Sequence, residues 1–160
     1  MKLFKRTVAA IAVTAAIAAA ALLGGCASKV IKVQNDYGSN NYVIIVTDDV
    51  VTLTETTSLY DYMCALQADG QITFEVSDGS YGKYITSVEG VSEKSESATS
   101  GYSWMIYTDL TELDGVVYSD PSYGTWTYDN KTLNSASYGV SGLPAVEGYT
   151  YALVYSYWSY

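Results

Sequence analysis

The stretch Ser58–Val76, SLYDYMCALQADGQITFEV, changes its hydrophobic period part-way along, and that change decides the fold class. In the first half Leu59, Tyr62, Met63 and Leu66 recur at i, i+3, i+4 and i+7, the spacing of one helix face. Thr57 or Ser58 can cap such a helix, and Gly70 after Ala68-Asp69 offers its stop. Cys64, beside Met63, falls at the edge of the apolar stripe and suits a small core-flanking residue better than a reactive one. In the second half Ile72, Phe74 and Val76 alternate with Thr73 and Glu75, the period of a strand with one buried face.

Strand signals surround this helix on both sides. Upstream, Val43–Val46 and Val50–Leu53 are β-branched runs about Thr47-Asp48-Asp49, which predicts a hairpin. Downstream, Tyr84–Val88 predicts a strand ended by Glu89-Gly90, and the polar Ser92–Ser100 a mobile loop. Tyr102–Thr108 predicts another strand, and Asp120–Gly124 turns into a further one at Thr125–Tyr128. Tyr149–Trp158 alternates with apolar residues on both faces, as a central strand does. Parallel α/β folds need a helix for each crossover, and only one is available. The prediction is an α+β domain in which one helix covers a mixed sheet.

Composition removes several functions. The chain has 160 residues, no histidine and two cysteines. Histidine-dependent triads and imidazole–zinc sites are therefore excluded. Arginine is absent after position 6, and beyond position 26 five lysines face 17 acidic residues, a balance of −12. Such a field repels nucleic acid, and no guanidinium fork is available for phosphate.

The first residues read as an address. Lys2, Lys5 and Arg6 precede the small-apolar run Val8–Leu23, close in length to signal cores of about 7–15 residues and shorter than spans of about 20. Leu23-Gly24-Gly25-Cys26 resembles the lipobox of bacterial lipoproteins. That resemblance implies diacylglycerol on Cys26, cleavage just before it, and a membrane anchor facing the extracytoplasmic side. Two or three acyl chains, at about 0.8 kcal/mol per buried methylene, anchor durably. The expected organisation is a signal peptide over 1–25, a polar tether over 26–41 and one domain over 42–160. With Cys26 lipidated, Cys64 has no partner for a disulfide.

Gly82-Lys83-Tyr84-Ile85-Thr86-Ser87-Val88-Glu89-Gly90-Val91, followed by Ser100-Gly101-Tyr102-Ser103-Trp104-Met105-Ile106-Tyr107, resembles the transcobalamin-like C-terminal domain family. The helix Ser58–Leu66 lies where that family has its Leu-x-x-Ala-Leu-type helix. The resemblance runs from Val43 to Trp158 and implies a β-grasp-like fold and a corrinoid-like ligand such as cobalamin. The segment Asp109–Gly148 is longer than the family's pattern and adds a hairpin around Tyr123–Lys131.

Aromatic residues are the one compositional excess, with 17 Tyr and 3 Trp. Tyr102, Trp104 and Tyr123 lie beside glycine or serine, Trp126 between two threonines and Tyr84 two residues after Gly82, often at predicted strand ends. Rings next to small residues make rigid contact surfaces, as in paratopes. These five are the expected ligand-binding residues. The expected function is a non-enzymatic, lipid-anchored binding module with no cofactor of its own, cobalamin being its ligand and a surface or transporter protein its partner. The alternative is an adhesin-like domain meeting protein or glycan. Asp109, Glu112 and Asp114 place three carboxylates near a turn, but their spacing is not that of an EF-hand, and solvated loop charge is the better reading.

Overall fold

The computed structural model describes residues 28–160. The signal peptide and the lipidation at Cys26 lie outside the described residues. In chain order the elements are β1 (Val30–Gln34), β2 (Asn40–Ile45), α1 (Leu59–Ala68), β3 (Phe74–Gly79), β4 (Gly82–Val88), β5 (Val91–Ser92) and β6 (Lys94–Ser97). There follow β7 (Ser100–Thr108), β8 (Glu112–Leu113), β9 (Val116–Val117), β10 (Ser119–Tyr128), β11 (Lys131–Ala136) and β12 (Thr150–Ser159). The large sheet runs β1-β2-β12-β7-β11-β10, with β6 also on β7; β3-β4-β5 form a second sheet and β8-β9 a small ribbon. Among the described residues the fold is α+β with a single helix.

The helix forms as its sequence requires. Ser58 is the N-cap: its hydroxyl accepts from Asp61 N, and the Asp61 carboxylate accepts from Ser58 N at 2.9 Å, a reciprocal capping box. Leu59, Tyr62, Met63 and Leu66 are all buried. They share the inner core with Tyr42, Ile44 and Val46 of the β2 region, Ile85 and Val88 of β4, and Tyr151, Leu153 and Tyr155 of β12. Gly70, with φ +72, follows the last turn. On the outer face of the large sheet Val43, Ala152, Val154 and Leu133 are buried under Trp126 and Tyr128 of the β10–β11 hairpin. Strand β12 is thus central and covered on both faces.

Four expectations are corrected. The sheets are antiparallel in every described pairing, not mixed. Helix α1 connects β2 to β3, which belong to different sheets, so it creates no parallel crossover. The tether expected over 26–41 contains β1. Its Val30 is buried, its register runs Val30↔Ile44 to Gln34↔Asn40, and the polar stretch that suggested a linker is the hairpin loop. Asn35 Oδ1 accepts from Tyr37 N and Ser39 N, both at 3.0 Å, an Asx-type closure of that loop. Strand β2 consequently pairs backward with β1, and Val50–Leu53 is loop, not the second arm of a hairpin. Finally, Ser92–Ser100 holds β6 and the ends of β5 and β7; β6 is exposed at all four positions, so no apolar alternation marks it.

Candidate functional site: an aromatic corner on the central strands

The register of β7 against β12 sets Tyr102 opposite Tyr157 and Trp104 opposite Tyr155. Directly opposed residues on one face of an antiparallel pair touch, and these four rings do so. Tyr102 stacks on Tyr155 at 5.4 Å with 12° between planes, and meets Tyr157 edge-on at 5.2 Å. Tyr37, from the β1–β2 loop, meets Tyr102 edge-on at 5.2 Å. Lys94 Nζ lies 6.0 Å from the Tyr102 ring centre and pairs with Glu96 at 3.1 Å. Tyr37 and Tyr157 are 49% and 44% exposed, so rings remain available to a ligand. Asp36, Tyr37, Lys94, Glu96, Tyr102 and Tyr155 line an open trough of about 440 Å³.

Beneath this layer the corner is structural. Trp104 is buried; its indole N–H donates to Val91 O at 2.8 Å, and the Tyr155 hydroxyl donates to Ser92 O at 3.0 Å. The two rings thereby tie β5 of the small sheet to the central strands of the large one. Burial pushes the Tyr155 phenol above its ordinary pKa, and the Glu96 carboxylate raises that of Lys94.

The five residues singled out from sequence do not form one surface. Tyr102 sits at the corner, while Trp104 beneath it is sealed and cannot touch a ligand. Tyr84 is exposed on β4 of the small sheet. Tyr123 is 77% exposed where the β10–β11 register shifts between Asp120 and Thr125. Trp126 stacks on Tyr128 at 6.1 Å over the outer face. Sequence reading missed Tyr37, which stood in the supposed tether, and Tyr155 and Tyr157. The alternation of β12 was a signal for the last two, but their position against Tyr102 depends on a register between distant strands.

Elsewhere the chemistry is sparse. Asp109 accepts from Lys131 Nζ at 2.7 Å and from Thr150 N at 2.8 Å, which commits its carboxylate to holding β12 and β11. Among the described residues no group of three His, Cys, Asp or Glu side chains could hold a metal ion. A groove of about 750 Å³ is lined by Asp48, Leu53, Glu55, Leu113, Asp114 and Glu147 among others. Cys64 is a half-buried free thiol on α1. Among the described residues no helix is long and apolar enough to cross a membrane. Comparison with protein-family models, curated proteins and solved structures finds no match to this chain.

Proposed function

We propose that the chain is a lipid-anchored, extracytoplasmic binding module without catalytic activity, of the transcobalamin-like C-terminal type with its β-grasp-like plan, and that it takes a flat ring-shaped ligand on the corner around Tyr102. The observation that carries this reading is the four-tyrosine cluster, with Tyr37 and Tyr157 about half in water beside an open trough. Tyrosines held by one another lose little entropy on binding, and their hydroxyls suit a ligand with an apolar face and polar rim. The resemblance of Gly82–Val91 and Ser100–Tyr107 to that family favours cobalamin or another corrinoid. The lipobox at Leu23–Cys26 supports an anchor that holds the domain at the outer membrane surface, where a transporter or surface protein would receive the ligand. An open trough covers less of a ligand than the roughly 70–90% buried in an enclosed pocket, so the affinity is modest. The second reading, a surface-interaction domain, is favoured by an unpaired strand flank next to the corner.

Cobalamin titrated into the mature chain is expected to quench tryptophan fluorescence and to saturate at micromolar concentrations, because Trp104 lies 5.0 Å from the Tyr155 ring under the corner. Tyr102→Ala is expected to weaken that binding about tenfold, the loss of one good ring contact. A titration that stays flat to high micromolar cobalamin overturns the corrinoid ligand.

A further inference from the structure

Strand β12 is paired along its whole length on one flank and only half its length on the other. Its pairing with β7 runs from Tyr151↔Thr108 to Ser159↔Ser100. Its pairing with β2 ends at Leu153↔Tyr42. Two residues further out, Tyr155 N donates to the side chain of Asn41, Oδ1 at 3.0 Å, in place of a backbone carbonyl. Asn41 Oδ1 also accepts from Asn35 Nδ2 at 3.2 Å, so this one amide closes the β2 ladder as the chain turns away into the β1–β2 loop.

Alternate residues of an antiparallel strand aim both N–H and C=O at the same neighbour. Tyr155 N–H faces the β2 flank, and Tyr160 N–H faces the other, donating to Thr99 O at 3.0 Å. The N–H and C=O of Tyr157 and Ser159 therefore face the flank that β2 has left, and no described residue pairs with them there. The side chains around this flank are those of the corner on one face, and of Ser156 and Trp158 on the other.

The other open edges of the large sheet carry the usual protections, and this one does not. Strand β1 has the exposed Lys32, β10 has Pro121 and a register shift, and β6 has Lys94 and Glu96. Charge, proline and bulges of this kind prevent pairing with foreign strands. Tyr157-Trp158-Ser159-Tyr160 has no charge and no proline.

We infer that the open flank of β12 at Tyr157–Ser159 is a strand-addition site for an extended, lysine- or arginine-bearing peptide segment of another protein. Backbone bonds to Tyr157 and Ser159 supply register, and one alternate side chain of the peptide rests on the Tyr37–Tyr157 rings. Charge selects the occupant. A second copy, which beyond position 26 carries five lysines against 17 acidic residues, is repelled, and so is an acidic peptide, whereas a cationic strand is attracted. Asp36, exposed in the trough beside the flank, adds to the local field.

The test uses the mature chain and a soluble peptide of alternating Lys and Val with one central Tyr, followed by amide resonances and calorimetry. Before addition, the Tyr157 and Ser159 amides exchange with solvent while those of Ser156 and Trp158 are protected by β7. On addition the first pair become protected, and binding weakens with salt. Methylating the peptide nitrogens on its pairing edge, with all side chains kept, is expected to weaken binding at least about tenfold, as lost backbone bonds should. Ser159→Pro removes a donor on the open flank only, leaves the β7 ladder intact, and is expected to weaken binding about tenfold. Equal binding of the methylated peptide, or of one with Glu for Lys, overturns the proposal. So does a dimer of the chain that Ser159→Pro dissociates, since the occupant would then be a second copy. Ser159→Pro removes no corner ring, so its effect on peptide binding and the cobalamin titration fail or succeed separately.

Discussion

Gly101 is the second residue of β7, and its missing side chain is what lets β6 and β12 close on it from both flanks. A Cβ there would collide with Lys94 O and stand 2.8 Å from the Trp158 ring and 3.0 Å from Ser95 Cα. Gly115 is a glycine for the opposite reason. With Asp114 at φ 52 and Gly115 at φ 80, the pair closes the two-residue turn between β8 and β9, and a Cβ would meet nothing within 4 Å. Gly115→Ala is therefore expected to cost only conformational strain, about 1 kcal/mol. Gly101→Ala forces backbone apart and is expected to cost about 1–3 kcal/mol, with a changed near-ultraviolet signal from Trp158. Urea unfolding of both variants checks the order. The same scale explains Trp104, which sequence marked as a contact residue because it follows Ser-Gly-Tyr-Ser. A strand aims alternate side chains at one face, and Tyr102 and Trp104 share the inner one. The register then leaves Tyr102 at the margin and carries Trp104 under β5, a difference that no local pattern encodes.

Among the elements, α1 was legible because what makes it is local: the apolar spacing, a cap at Thr57 or Ser58 that the structure assigns to Ser58, and Gly70 beyond the end; Asp61, which completes the capping box, was a local signal left unread. Ser58→Ala is expected to cost about 1 kcal/mol, the usual loss for an N-cap. Asp61 adds a pH dependence of known sign. The Ser58 hydroxyl and then the Ser58 backbone N–H hold its carboxyl below the ordinary value. Its contribution is complete above about pH 4 and is lost as pH falls through the lower folded value. Asp61→Asn should flatten that acid limb in thermal scans while leaving a smaller, pH-independent loss. The strands were legible only where one face is buried against a fixed core. Strands β4, β7 and β12 showed themselves by alternation or by apolar residues on both faces. Strand β6 did not, because its four residues are all exposed, and β1 was hidden by the polar loop that follows it. Once β1 is missed, β2 must seek its partner on the wrong side, and the error at Val50–Leu53 follows from it. The corner inherits the same limit, since three of its four tyrosines come from strands or loops whose neighbours are far away in sequence.

For the molecule as a whole, the absence of histidine governs how stability responds to pH. No histidine is present, and the ordinary values of the remaining side chains leave the range from about pH 5 to about pH 8 empty. Stability should be level there, unlike that of proteins whose histidines titrate in this window. The alkaline side belongs to tyrosine. Tyr151 is fully buried in the inner core, and its hydroxyl donates to Pro144 O. Burial pushes that phenol far above its unfolded value, because the phenolate would lose both water and the bond it donates. Burial raises Tyr42, Tyr107 and Tyr155 in the same direction. A raised acid stabilises the fold below its unfolded pKa, so the contribution is intact up to about pH 10 and is lost as pH climbs toward the folded value. Tyr151→Phe separates the bond from the ionisation. At pH 7 it should be about 1 kcal/mol less stable, since the Pro144 carbonyl loses its donor. Above about pH 10 its stability should fall less steeply than that of the parent chain, with one proton fewer released on unfolding. Thermal midpoints from about pH 4 to about pH 11, read together with tyrosinate absorbance, measure both. A parallel decline of the two proteins above pH 10 would show that Tyr151 is not the group whose ionisation opens the core.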